Sequence, residues 1–281
     1  MLAPDVEDLI TRALAEDVGP RDLTTEAVVE PGRPARGVVV QKAPGMVFGL
    51  DVAEAVFRRV DPLVRVERRR PEGEWLKEPP ADVLALEGEA RGLLTAERVA
   101  LNFLGHLSGV ATVTAACVYE LRGTGVAVLD TRKTLPGLRT LEKQAVASAG
   151  GRNHRMGLYD AILVKDNHVA LAGGIEEAVR RALAGRPQGV SVEVECASLA
   201  DVEAALAAGA DRLLLDNMDP PRLREAAELA GGRAELEASG GVTAQTLRGI
   251  AASGVQSVSI GFLTHSAPAL DLSMSVEPAD R

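Results

Sequence analysis

The chain has 281 residues, 46% hydrophobic and 25% charged, which suits one large domain or a large domain with a smaller companion and excludes an extended disordered chain. A formal net charge of -9 argues against a general nucleic-acid binder. No run of about eighteen uncharged apolar residues predicts a membrane span, and Met1-Leu2-Ala3-Pro4-Asp5 lacks the basic-then-apolar pattern of a signal peptide.

From Asp5 to Glu16, Val6, Leu9, Ile10, Ala13 and Leu14 fall at helical spacing, and Gly19-Pro20 closes the helix. The apolar runs Gly37–Val40 and Asp82–Leu86, set off by Pro- and Gly-rich turns, predict antiparallel strands around a helix over Asp51–Val60. From Thr95 the pattern turns helical, with Leu101, Leu104, Leu107 and Val110 as one stripe. After Val126 a regular alternation begins. Strands are predicted at Val126–Leu129, Ala161–Val164, Val190–Val194, Arg212–Leu215, Ala234–Leu236 and Ser257–Ile260. Amphipathic helices are predicted at Gly174–Ala184, Leu199–Ala208, Pro221–Ala230 and Thr243–Ala252.

One strand followed by one helix, repeated, requires a parallel sheet. No strand leads into Gly-x-Gly-x-x-Gly, which disfavours a dinucleotide fold. About six such units, short of eight, predict an incomplete (β/α) barrel, with an open doubly wound sheet as the alternative. Cys117 and Cys196 sit in apolar periodic segments and read as reduced core thiols of a cytoplasmic protein.

The strand ends carry the functional signal. Asp130-Thr131-Arg132-Lys133 follows the first, Lys165-Asp166-Asn167-His168 the second, and Glu195 ends the third. Asp216-Asn217 follows the fourth, Glu237-Ala238-Ser239-Gly240-Gly241 the fifth, and Gly261 the sixth. In a parallel barrel these ends share one rim, where a site is assembled from different strands. Arg132, Lys133, Arg139, Lys143, Arg152, His154, Arg155 and Lys165 form a basic island that focuses anions. Glu195 and Asp216 offer hard oxygens suited to magnesium, and Ser239-Gly240-Gly241 offers backbone N–H groups to a phosphate.

Each element also has a plainer reading. Ser-Gly-Gly can be a turn, and Glu195 or Asp216 a helix cap. Lys165 can be an ion-pair partner, or a Schiff-base nucleophile as in barrel aldolases. His154 and His168 have no third His or Cys at metal-ligand spacing, and His106 and His265 read as hydrogen-bonded structural residues.

The sequence resembles the quinolinate phosphoribosyltransferase family over nearly its whole length. The resemblance rests on Glu16-Asp17-Val18-Gly19 with Asp22–Thr25, Glu97–Leu104 running into Leu107-Ser108-Gly109, and Asp130–Thr134. It continues through Pro136-Gly137, Leu141-Glu142-Lys143, Gly150–Arg155, Lys165–His168, Asp216-Asn217-Met218, Glu237–Gly241 and Leu263–Ser266. All four asparagines, Asn102, Asn153, Asn167 and Asn217, fall inside these motifs.

The resemblance implies an N-terminal α/β sandwich with a four-stranded antiparallel sheet, residues 1–106, joined by the C-terminal tail 267–281. An incomplete (β/α) barrel follows over 107–266. The implied reaction joins quinolinate and phosphoribosyl pyrophosphate into nicotinate mononucleotide, pyrophosphate and carbon dioxide, with Mg2+ accompanying the pyrophosphate. Arg98, Thr131, Arg132, Lys133, His154, Arg155 and Lys165 match the quinolinate-binding positions. Glu195 and Asp216 match those near the ribose and the magnesium, held directly or through water. Ser239-Gly240-Gly241 and Ile260-Gly261-Phe262 match the phosphate loops, and Lys133, Glu195 and Asp216 the catalytic groups. A homodimer with shared active sites, or a hexamer built as a trimer of dimers, is implied, with Arg98 entering the neighbour's site.

Overall fold

A computed structural model of the chain describes residues 2–243 and 245–279. Met1, Ala244 within the expected helix Thr243–Ala252, and Asp280 and Arg281 of the expected tail lie outside the described residues. In chain order come α1 (Pro4–Val18), α2 (Leu23–Val28), β1 (Pro34–Gln41), β2 (Gly45–Met46) and α3 (Leu50–Val60). Next are β3 (Arg65–Arg68), β4 (Trp75–Leu76), β5 (Ala81–Glu89) and the long α4 (Ala90–Glu120). The alternating part holds β6 (Ala127–Leu129), α5 (Arg139–Ser148), β7 (Ile162–Val164), α6 (Asp166–Ala172), α7 (Ile175–Gly185) and β8 (Val192–Cys196). It continues with α8 (Leu199–Ala207), β9 (Arg212–Asp216), α9 (Pro220–Ala230), β10 (Glu235–Ser239), α10 (Leu247–Ala251), β11 (Ser257–Ser259) and α11 (Phe262–His265), and β12 (Leu272–Pro278) closes the chain. Two compact units result, Met1–Val113 with Ala267–Arg281, and Thr114–Ser266.

In the first unit β12, β1, β5 and β3 form a four-stranded antiparallel sheet in that order. Gly37 at the centre of β1 faces Leu86 on one side and Val276 on the other. Along β1, Ala35, Gly37, Val39 and Gln41 are buried and the intervening residues are not, the period of two that a one-faced sheet requires. Helix α1 buries Val6, Ile10 and Leu14 from its predicted stripe, and it stops where Gly19 takes a left-handed φ of 57°. Fully buried Ile10, Val56, Phe57, Leu84, Leu86 and Leu93 make the core of this unit, each worth about 1.5–3 kcal/mol of burial.

Helix α4 begins at Ala90, directly after β5, five residues before the start expected at Thr95. It is long and apolar enough to cross a bilayer by length and hydropathy alone. Its apolar stripe, including Leu101, Leu104, Leu107 and Val110, is instead buried within the protein, which marks a core helix. Gly105 and Gly109 form a small-residue groove for the returning tail. The Leu270 N–H donates to the Gly105 carbonyl at 2.9 Å, and a Cβ on Gly109 would lie 2.1 Å from the Pro268 carbonyl oxygen.

The second unit is an incomplete (β/α) barrel. Its six strands are all parallel, in the order β6-β11-β10-β9-β8-β7. Beyond β6 the segment at Arg152 adds a parallel bridge to Leu129, with the Arg152 N–H donating to the Val128 carbonyl at 2.8 Å and the Asp130 N–H to the Arg152 carbonyl at 3.2 Å. Side chains alternate across the sheet. Val128, Val194, Leu213, Leu215, Leu236 and Val258 are buried on one face. The opposite face, unusually for a parallel sheet, is largely polar, with Glu193, Glu195, Arg212, Asp216, Glu235, Glu237, Ser257 and Ser259 beside Leu163 and Leu214.

The strand bounds differ from those predicted where apolarity was the only guide. β8 runs on to Cys196, which places Glu195 inside the strand, and β10 runs through Glu237 to Ser239. Both strands contain charged residues on the interior face, so an apolar-run criterion stops short. The helix expected from Thr243 begins only at Leu247, because Thr246 Oγ1 accepts the Thr243 N–H at 2.9 Å and holds the chain in a turn. The helix α5 was not anticipated, since Lys143 and Glu142 sit on its buried face.

Candidate active site

A cavity of about 330 Å³ opens at the C-terminal ends of the barrel strands. Every strand or the loop after it contributes: Thr131, Arg132 and Lys133 after β6, Leu163 of β7 with Lys165, Glu195 of β8, Leu214 and Asp216 of β9, Glu237 and Ser239 of β10, Ser259 of β11. Strands far apart in sheet order share one cavity, so the sheet curls. A larger depression of about 460 Å³ in the first unit has its charges paired internally, Glu7 with Arg59, Glu54 with Arg58, and Asp51 with Arg68, leaving little to bind a ligand.

The cationic wall is built on a buried clamp. Asp130 and Lys143 are wholly buried and ion-paired. Lys143 Nζ also donates to the His154 carbonyl at 2.9 Å, and Asp130 accepts the His154 N–H at 2.9 Å and Asn153 Nδ2 at 2.6 Å. These bonds fix residues 153–155 beside the end of β6 and so set the direction of His154 and Arg155. Arg139 secures the other edge, donating to Thr134 Oγ1 at 3.0 Å and to the Met156 carbonyl at 3.2 Å. Lys133 is held through its backbone, its carbonyl accepting from Thr264 Oγ1 at 2.7 Å.

The guanidiniums are under-partnered. Arg132 Nε is buried with no hydrogen-bond acceptor. Burial, and then the nearby charge of Arg132, pulls Arg155 below the ordinary arginine value. Two crowded cations with an unused donor are an arrangement that an anion completes. On the other side Lys165 Nζ donates to Glu195 Oε2 at 2.9 Å. Asp216 accepts from Asn217 Nδ2 at 2.7 Å. Asn217 adopts a left-handed φ of 54°, and its side chain would collide with any Cβ at Gly240, which explains a glycine there.

The cavity therefore brings together Thr131, Arg132, Lys133, His154, Arg155, Lys165, Glu195, Asp216 and Ser239. Gly240 and Gly241 follow directly with positive φ, and buried Ile260 with half-buried Gly261 and Phe262 leave the end of β11. Arg98 is exposed on α4 in the first unit. Arg139 and Lys143, by contrast, are absorbed as structural clamps. His168 is a helix cap, its Nδ1 accepting the Lys165 N–H at 2.9 Å, and His265 Nδ1 contacts Ser266 Oγ at 2.5 Å.

Sequence reasoning missed Glu193, and it noted Glu237 in the motif after the fifth strand without giving it a role in the site. His154 Nε2 lies 2.9 Å from Glu193 Oε2 and 3.7 Å from Glu237 Oε1, beneath the cavity. The strict alternation of Val192-Glu193-Val194-Glu195-Cys196 and Glu235-Leu236-Glu237-Ala238-Ser239 was the available signal. Burial pushes the thiols of Cys117 and Cys196 up to about 11 and about 12, as inert core residues.

The chain is similar to known proteins over nearly its whole length. Residues 22–108 match the model of the quinolinate phosphoribosyl transferase N-terminal domain, and residues 110–275 that of the C-terminal domain. The chain is 42% identical to a nicotinate-nucleotide pyrophosphorylase (carboxylating) of Mycobacterium leprae, over 96% of both chains. It is 39% identical to a probable nicotinate-nucleotide pyrophosphorylase (carboxylating) of Bacillus subtilis, over 96% of this chain and 93% of that one. The crystal structure of NadC from Streptococcus pyogenes superposes with a TM-score of 0.93 at 42% identity, covering 100% of this chain and 99% of that one.

Proposed function

This chain belongs to the quinolinate phosphoribosyltransferase family, and from that premise we propose how its barrel cavity performs the reaction. The enzyme transfers the phosphoribosyl group of phosphoribosyl pyrophosphate to quinolinate with decarboxylation, giving nicotinate mononucleotide, pyrophosphate and carbon dioxide, a step of NAD biosynthesis. Its relatives carry names for both directions of this one reaction. The observation that carries our reading of the site is the juxtaposition of Arg132, Lys133, Arg155 and Lys165 with Glu195 and Asp216 in one cavity.

In this reading the cationic wall, with Thr131 and His154, holds the two carboxylates of quinolinate. Lys165 has three N–H donors, so it can keep Glu195 while donating to a substrate carboxylate. Glu195 and Asp216, hard oxygen donors on neighbouring strands, would hold a magnesium ion accompanying the pyrophosphate, directly or through water, and its charge would offset that of the leaving group. As C1′ gains oxocarbenium character, the same carboxylates stabilise it. Lys133, which lines the cavity, would draw charge from the pyrophosphate. Ser239, Gly240 and Gly241, with Ile260, Gly261 and Phe262, receive the 5′-phosphate on backbone N–H groups. Attack by the ring nitrogen makes the ring cationic, and positioning does most of the rest.

With Mg2+ present, quinolinate is expected to release carbon dioxide and pyrophosphate together. Nicotinate, which leaves buried cation unpaired at a cost of about 3 kcal/mol, should react about a hundredfold more slowly. Equal rates for the two acids would reject the dicarboxylate cage.

The free chain's buried thiols suit a reducing cytoplasm. We take the assembly to be a homodimer, or a hexamer of three dimers, in which Arg98 serves the neighbouring subunit's quinolinate site; its exposure on α4 supports this. Mixing inactive Arg98→Ala with inactive Lys165→Ala protein is then expected to restore about a quarter of wild-type turnover, by random subunit pairing, once subunits exchange. No recovery despite demonstrated exchange would return Arg98 to its own chain.

A further inference from the structure

Among the described residues, Glu237 is the acid of the barrel interior whose carboxyl oxygens make no hydrogen bond. It sits mid-strand on β10, 2% exposed, with both carboxyl oxygens buried and without a hydrogen bond. The groups facing it are Glu193 from β8, His154, Arg212 from β9 and Ser259 from β11. His154 cannot serve it. The imidazole Nδ1 accepts the Arg155 N–H at 2.7 Å, so the single ring proton is on Nε2, directed to Glu193 Oε2 at 2.9 Å. The same tautomer argues against a cation between His154, Glu193 and Glu237, although their ligand atoms lie within 4.8 Å of one another. A metal on Nε2 would force a proton onto Nδ1, against the Arg155 N–H.

A buried carboxylate beside a second carboxylate and without a donor is costly, and the neutral acid removes that cost. Burial, then the charge of Glu193, pushes the Glu237 carboxyl up to about 7. Glu237 also has two approaches. It lines the 330 Å³ cavity at the C-terminal strand ends and a second cavity of about 330 Å³ at the N-terminal ends, bounded by Arg152, Ser191, Arg212 and Gln256. A protonatable acid in the wall between a reaction chamber and a polar opening to solvent can be recharged without opening the chamber.

The decarboxylating reaction demands such a group. When carbon dioxide leaves C2 of the ring, the electron pair of the broken C–C bond stays on C2, and the product carries hydrogen there. We propose that Glu237 is the general acid that supplies this proton. The C2–carboxylate bond breaks, the pair left on C2 takes the proton from the Glu237 O–H, and Glu237 is left as carboxylate beside His154 and Arg212. Water in the second cavity returns a proton to it before the next turnover. This inference rests on the decarboxylating reading above.

The test is a single-turnover experiment with Mg2+, phosphoribosyl pyrophosphate and carboxyl-labelled quinolinate, following pyrophosphate, carbon dioxide and nicotinate mononucleotide separately. In Glu237→Gln, pyrophosphate release is expected within about threefold of wild type, while formation of nicotinate mononucleotide slows about a hundredfold. In the wild-type enzyme that second step should fall about tenfold per pH unit above pH ~7, because the acid form is the active one, and the glutamine variant should lose this dependence. Equal slowing of both steps, or an unslowed second step, would overturn the proposal. So would a wild-type second step that is flat through pH ~7, which needs no variant at all. Pyrophosphate release without any carbon dioxide from the wild type would fail the decarboxylating reading instead, a distinct result.

Discussion

Arg132→Ala is expected to lower kcat/KM for quinolinate about a hundred- to a thousandfold while leaving the folded protein intact. Truncating one partner of a buried charge pair costs about 2–5 kcal/mol, and here the partner left unpaired is a substrate carboxylate. Arg132 has a buried Nε with no acceptor, so without ligand its guanidinium contributes little to holding the protein together. It also weakens the charged form of Arg155 beside it, and losing that repulsion should leave the thermal midpoint unchanged or slightly raised. The loop itself is retained, because Arg139 grips the Arg132 carbonyl rather than its side chain. Steady-state kinetics together with a melting curve check both halves of the expectation. Near-normal kcat/KM would remove Arg132 from the ligand contact, and a large loss of stability would make its role structural.

Lys143→Met should do the opposite: destabilise first, and inactivate as a consequence. Lys143 and Asp130 are each 0% exposed at the side chain. Burial already pushes the Asp130 carboxyl up in spite of Lys143, so removing the ammonium leaves a buried acid with only Asn153 and the His154 N–H to satisfy it. Breaking a buried pair in this way costs about 3–5 kcal/mol. The double variant Asp130→Asn with Lys143→Met, which removes both charges, is expected to recover part of that loss. Denaturant unfolding of the two single variants and the double gives the coupling directly. A cost below about 1 kcal/mol for Lys143→Met would mean that residues 153–155 are held by something other than this clamp.

These two residues show how far sequence and structure divide the work. Both stand in the stretch from Arg132 to Lys165 that reads as one basic island. The sequence by itself determined the class of fold: six apolar strand cores with helices between them admit only a parallel sheet. It also determined the rim chemistry, since Thr131 to Lys133 and Lys165 follow strand ends and Asp216 and Ser239 are the last residues of theirs. The motifs from Asp130 to Arg155 and from Glu237 to Gly241 were specific enough to point to the family before any coordinates.

Only the tertiary structure decided which members of the island reach the cavity. Between β6 and β7 the chain is irregular on either side of α5, and α5 buries Glu142 and Lys143, so no apolar period says which way a side chain points. There Arg132, Lys133 and Arg155 face the ligand space, whereas Lys143 turns into the core and Arg139 into its own loop. The same limit hid Glu193 and the burial of Glu237. A period of two separates a strand's faces but cannot say that the charged face points inward, because that depends on the sheet curling round to enclose it. Burial, and with it the protonation state of Glu237, is a property of that enclosure and of the neighbouring strands, which lie tens of residues away in the chain.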